Sequence, residues 1–415
     1  MKRAAAMASL LALLTIACGP SSASSSASAA RGSSPSTSSA ASEAKTGQMP
    51  VADFTFDLLS ARGDSSTATA ARTASWITCS ASIGSSDPVA VVQLHAAAGT
   101  SEYVLRDYAD PSNARTACQF HTTQAGHGYG VVQLIDAHHV VIQSLDCCEV
   151  FAVVDLPEVR YHWFYLPRLP GFNAELLAVS PGLNEVAWVS GNDSTGDDRK
   201  VHLTNRSGDQ VIANLPAALG RCGAPNLSKQ GAFTRSGDHL YVLDQPLPDN
   251  VLYIFEGKHQ MAALLPPSGG WPKGTQPEMA VWSPTSETLF YRQNGDVWQW
   301  TQAAGASRFL PGVNWYYPTF SATGSHLAYS VPRTDGLHDI FLIDMAHGGS
   351  PRQIKGGRNL PVFLNSTQLW YWSESQGVCG PGISHPLVYD ISDGSEAASV
   401  IDLVTSVWPA TSSNF

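Results

Sequence analysis

FSATGSHLAYS, residues 320–330, reads as a strand, a tight turn and a second strand. Thr323-Gly324-Ser325 supplies the turn, and Leu327-Ala328-Tyr329 the apolar core of the second strand. Similar triplets stand at Val140-Val141-Ile142, Val186-Ala187-Trp188, Leu240-Tyr241-Val242, Leu289-Phe290-Tyr291 and Leu369-Trp370-Tyr371, with Val91-Val92 a weaker first copy. Turn-rich segments precede the later copies: SPGLNE, TRSGDH, SPTSET, SATGSH and LNSTQ. Asn, Asp and Gly there tolerate the positive φ that tight hairpins require. Before each turn lies another apolar run, such as ELLAVS, EMAVWS or LPVFL.

A third strand follows each pair, as in VFAVVDL, VLYIFE and IFLIDM, and five of these lead through a turn into a fourth. From Val91 the second-strand cores step by 49, 46, 54, 49, 38 and 42 residues to Leu369. Four short strands in a period of roughly 40–50 residues are the mark of a β-propeller blade. The expected fold is all-β, a β-propeller of about seven four-stranded blades over residues 72–405. A six-bladed ring with residues 72–118 as an irregular cap is the alternative. Closure is left open. The last blade reads as four strands of its own, ending near Leu403, and the alternating Pro50-Val51-Ala52-Asp53-Phe54-Thr55-Phe56 could clasp it or form a stray arm.

The best-formed copies, PTFSATGSHLAYS…DIFLIDMAHGGSPRQI at residues 318–354 and WSPTSETLFYR at 282–292, resemble the TolB-type, WD-repeat-like propellers. The resemblance is good over residues 175–405 and poor in the first two blades. It implies a propeller and an exported location. It does not imply the Tol–Pal role, because a Ser/Ala-rich segment stands where TolB carries an α/β domain.

That segment has its own logic. Lys2 and Arg3 precede an apolar run, too short to span a bilayer, that ends in Leu14-Thr15-Ile16-Ala17-Cys18. Small or apolar residues before a cysteine resemble a bacterial lipobox, in which Cys18 carries the lipid; an ordinary secretory signal is the alternative. Residues 18–47 lack the large apolar side chains that would offset ordering entropy. A flexible coil of about 28 residues reaches ~30 Å. The expected organisation is a signal peptide at 1–17, a lipidated, disordered linker at 18–47 and a propeller domain at 48–415. Loss of Lys2 and Arg3 leaves 34 acids against 22 bases, a formal charge of −12. That balance argues against nucleic acid as a partner.

Six cysteines remain for an exported domain: Cys79, Cys118, Cys147, Cys148, Cys222 and Cys379. Disulfides are the expected use, with fifteen pairings open. No C-x-x-C suggests zinc. Cys79 and Cys118 are placed in the inner and outer strands of the first blade, where they could pair.

In a propeller the 2–3 loops and 4–1 connections share one face, and several are long here. Loops on a rigid scaffold concentrate function. The candidate binding face comprises Phe172, Asp193, Asp197, Asp198, Trp271, Trp315, Tyr316 and Asp335. The aromatics could instead pack beneath their loops. The Asp193, Asp197 and Asp198 spacing fits no EF-hand, so solvated loop acids are expected and no metal is assigned. No H-E-x-x-H, G-x-S-x-G, P-loop or G-x-G-x-x-G occurs. No cofactor or catalytic residue is assigned. The expected function is a lipid-anchored module that binds an envelope protein or polymer. The alternative is an enzyme acting on polysaccharide, peptide or a small metabolite in the central channel.

Overall fold

The structure is a computed structural model. It describes residues 77–79, 88–97, 100–107, 115–121, 123–124, 127–135, 139–144, 150–155, 160–166, 172–192, 198–205, 207–216, 229–244, 250–377, 380–399 and 403–407. The signal peptide, Cys18, the linker and the 50–56 segment lie outside them.

The described residues form seven antiparallel sheets, five of four strands and two of five. In chain order these are blades 1 to 7. Their innermost strands are Leu403–Val407, His127–Leu134, Phe172–Val179, Lys229–Phe233, Glu278–Trp282, Tyr316–Phe320 and Arg358–Phe363. Each touches the next. The Gln133 side chain exchanges two hydrogen bonds with the Val179 backbone, 2.8 and 2.9 Å, joining blades 2 and 3. The Trp282 indole N–H donates to the Ala232 carbonyl at 2.8 Å, joining blades 4 and 5. The other five junctions are direct packing between inner strands. The result is a seven-bladed propeller, not a six-bladed ring with a cap.

The closure differs from a last blade that runs on to near Leu403. The last blade ends with Glu396–Ala398. The chain then continues to Leu403–Val407, which pairs with Pro88–Ala97, Ala90 opposite Val407 and Gln93 opposite Leu403. The C-terminal strand is therefore the inner strand of the first blade. It occupies an edge whose N–H and C=O groups would otherwise lack partners. Ile77–Cys79 is displaced to the opposite edge, outside Arg115–His121. Cys79 thus lies in the outermost strand, not the inner one.

The apolar triplets mark second strands because these strands are buried on both faces. Val186 and Trp188 pack toward blade 2, while Ala187 and Val189 pack toward blade 4 with Leu240 and Val242. Tyr241 and Leu243 face blade 5 beside Trp282, Leu289 and Tyr291. Period-two alternation between two apolar neighbours gives a continuous apolar run. Fourth strands such as Gly208–Asn214 and His259–Leu264 are largely exposed.

One capping residue recurs after the inner strands of blades 3 to 7. The Ser180, Thr234, Ser283 and Ser321 hydroxyls and the Asn365 side-chain oxygen accept backbone N–H groups of their own 1–2 turns. Gly324 sits at φ 69° in one such turn, where a Cβ would come within 2.6 Å of Thr285 in the preceding blade.

Between blades 6 and 7, Glu396 accepts from Arg358 at 2.8 Å, Lys355 at 3.1 Å and the Tyr371 hydroxyl at 3.1 Å. Burial would push its carboxyl up, but the Arg358 and Lys355 hydrogen bonds outweigh it and hold the pKa below the ordinary value. A depressed carboxylate stabilises the fold above its unfolded pKa and loses that contribution as pH falls through the folded value. Glu396→Gln should therefore be less stable than wild type at neutral pH, with the gap in melting temperature narrowing below about pH 4.5. A pH-independent gap contradicts this.

Candidate functional site

Inner strands begin on the face that carries the 2–3 loops and 4–1 connections. Glu278, Tyr316 and Arg358 open the inner strands of blades 5, 6 and 7. The next residue, or the next but one, takes positive φ in each: Met279 at 54°, Tyr317 at 50° and Leu360 at 56°. At each point the pairing register shifts. A bulge at the same place in three successive blades re-aims the side chains at the channel entrance, and non-glycine residues adopt this conformation only when the surroundings enforce it.

The chain of contacts there crosses all three blades. Arg292, at the end of Leu289–Gln293, is ion-paired with Glu278. It donates to the Trp315 carbonyl at 2.9 Å and lies 4.1 Å above the centre of the Tyr316 ring. Burial pulls the Arg292 pKa below its usual value; a guanidinium nevertheless stays charged near neutral pH. The Tyr316 ring meets His338 edge-on at 6.1 Å. His338 Nδ1 lies 3.0 Å from Glu374 Oε1, and the His338 backbone N–H donates to Glu374 Oε2 at 2.6 Å. Glu374 is almost fully buried, and its own N–H donates to the Gly357 carbonyl at 2.8 Å. Burial, with Tyr316 and Glu374 nearby, raises the Tyr317 pKa, so its hydroxyl keeps its proton.

Above this floor stand exposed loop residues. Trp271 is half-buried, with its indole N–H donated to the Asn250 carbonyl at 2.7 Å, and Lys273 is exposed beside it. Arg333 pairs with Asp335 at 2.8 Å, and Gln376 of blade 7 donates to the Asp335 carbonyl at 2.5 Å.

The residues expected on this face divide. Tyr316, Trp271 and Asp335 lie there. Trp315 does not serve as a contact: it is fully buried in the core between blades 5 and 6. Its truncation to Ala costs about 3–5 kcal/mol and cannot report on binding alone. Asp198 is paired with Lys200 at 2.7 Å and is largely exposed. Phe172 opens the inner strand of blade 3 opposite Asn192. Asp193 and Asp197, with Cys147, Cys148, Cys222 and Cys379, lie outside the described residues. Among the described residues no cluster suited to a metal ion occurs. Sequence reading missed Glu278, Arg292, His338 and Glu374.

A second chain of contacts resembles hydrolytic machinery. Ser190 Oγ lies 2.9 Å from His202 Nε2, and His202 Nδ1 lies 2.8 Å from Asp209. The surroundings give it a packing role. Trp188 stacks on His202 at 3.8 Å, and its indole N–H donates to Thr204, which donates to the other Asp209 oxygen. Ser190 lies between two paired strands, opposite Ala174 and Lys200. Among the described residues the ladders engage the neighbouring N–H groups, so none of these converges as an oxyanion hole.

No family model matches the sequence, and no curated protein matches it. Among solved structures the chain is similar to that of a prolyl endopeptidase, at 9% identity over 77% of this chain and 49% of that one, with a TM-score of 0.51. The chain thus spans about half the length of that enzyme. It is also similar to TolB from Acinetobacter baumannii (12% identity, 76% and 81% covered, TM-score 0.37). A third is the β-propeller domain of the Trilobed protease from Pyrococcus furiosus (10%, 74% and 84%, 0.38). At such identities the likeness is one of fold.

Proposed function

We propose that this protein is a binding module of the bacterial cell envelope, exported, anchored by a lipid on Cys18, and recognising an envelope protein or polymer through the face above blades 5–7. One observation carries the reading. Glu278, Arg292, Tyr316, His338 and Glu374 come from three blades and hold one another in a fixed polar and aromatic floor. A surface whose groups are already positioned loses little freedom on binding. Aromatic and Arg groups in such a setting are the common anchors of recognition.

The exposed rim provides the test. The triple variant Lys273→Glu, Arg333→Glu, Gln376→Glu should lose partner capture at least ~10-fold, since unfavourable charge at an interface costs more than a kcal/mol. Its melting temperature should stay near that of wild type. Capture at the wild-type level would remove the binding face from this position.

The same convergence supports a second reading, an enzyme working at the channel entrance. There Glu374 would orient His338 as a general base beside the Arg292 cation. His338→Gln separates the two. Turnover of a glycan, peptide or metabolite that disappears in this variant, with capture intact, would favour the enzyme.

A further inference from the structure

We infer that Cys79 and Cys118 form a disulfide that staples the outermost strand of the first blade in place. Ile77–Cys79 pairs with Arg115–His121, with Ile77 opposite Phe120, Thr78 opposite Gln119 and Cys79 opposite Cys118. Directly opposed residues in an antiparallel pair have Cα atoms about 4.5–5.5 Å apart. That lies within the roughly 4.4–6.8 Å span of disulfide-linked residues.

The strand needs such help. It is three residues long and, among the described residues, lies at a sheet edge with Arg115–His121 as its only partner. An isolated three-pair edge frays readily. The first blade also holds both ends of the described chain, this strand at one edge and Leu403–Val407 at the other. A covalent link from Cys79 fixes the N-terminal end as hydrogen bonding fixes the C-terminal one.

The chemistry balances simply. The two thiols release two protons and two electrons and form one S–S bond. The electrons pass to the disulfide of an exported thiol oxidant, which is reduced to its dithiol. The link encloses the 38 residues that lie between the two cysteines, a loop long enough for its constraint on the unfolded chain to matter.

The test is a non-reduced, alkylated digest of the full-length exported protein, read by mass spectrometry. The expected result is one species joining the Cys79 and Cys118 peptides, which separates on reduction. In Cys79→Ser, Cys118 should become alkylatable without reductant. The melting temperature should fall by several degrees, and by the same amount in the Cys79→Ser, Cys118→Ser double variant. Both cysteines alkylated in the unreduced native protein, or Cys79 joined to a different cysteine, would overturn the proposal. The wild-type digest decides even if the variants fail to fold.

Discussion

Asp244→Ala should destabilise the propeller by about 3–5 kcal/mol, the expected cost of leaving a buried charge without its partner. Asp244 ends the second strand of blade 4, and Arg199 precedes the third strand of blade 3. The guanidinium donates to both carboxylate oxygens, at 2.6 and 2.7 Å, and both side chains are wholly buried. Arg199 donates again to the Pro216 carbonyl at 3.2 Å. Gly191 makes room for it, since a Cβ there would stand 2.8 Å from Arg199 Cγ. Removing the carboxylate strands a cation in a junction too tight to relax. The double variant Arg199→Met, Asp244→Leu should recover most of the loss, because an apolar pair has no desolvation cost to offset. Denaturant titration of the three proteins decides the matter. A single variant within 1 kcal/mol of wild type would show that the junction admits water.

Truncation after Ser399 should have a larger effect still. It removes Leu403–Val407, which supplies the inner strand of blade 1 and packs against the inner strands of blades 2 and 7. The ring then opens, and Pro88–Ala97 becomes an unpaired edge. The expected result is a fall in melting temperature of ~10 °C or more, with a broadened transition and dye-binding apolar surface. A synthetic peptide of residues 400–415 should restore stability in a concentration-dependent way. A truncated protein melting like wild type would contradict closure by the C-terminal strand.

The fold was legible because second strands are buried on both faces. LAY, LYV and LFY are apolar without interruption, and a Ser, Thr or Asn cap marks the 1–2 turns of blades 3 to 7 at intervals of 38 to 54 residues. Closure was not legible. Residues 399–407, SVIDLVTSV, read equally well as the end of blade 7 or the start of another strand. Only the open edge of the first blade decides between them. The candidate site was half legible. NWYYP announces aromatics at a blade entrance, but alternation cannot say which one turns inward. The bulge at Tyr317 breaks the period, so Trp315 is buried while Tyr316 lies over Arg292. Glu278 and Arg292 are 14 positions apart and meet as opposed residues of one hairpin, in a register the bulge hides, whereas His338 and Glu374 are 36 apart in different blades and only the ring brings them together. Counting five residues back from the Ser283 and Ser321 caps does reach Glu278 and Tyr316, the one local signal that could have found them.

The most direct test of the binding reading is site-specific photocrosslinking in the living cell. A photoreactive residue would replace Lys273, Arg333 or Gln376 on the long-loop face, and Ser286 or His347 on the turn face, where both are exposed. Captured species would be identified by mass spectrometry. The account predicts one recurrent envelope protein or polymer adduct from the three long-loop positions, absent from the two turn positions. No recurrent adduct, or the same adducts from both faces, would contradict it.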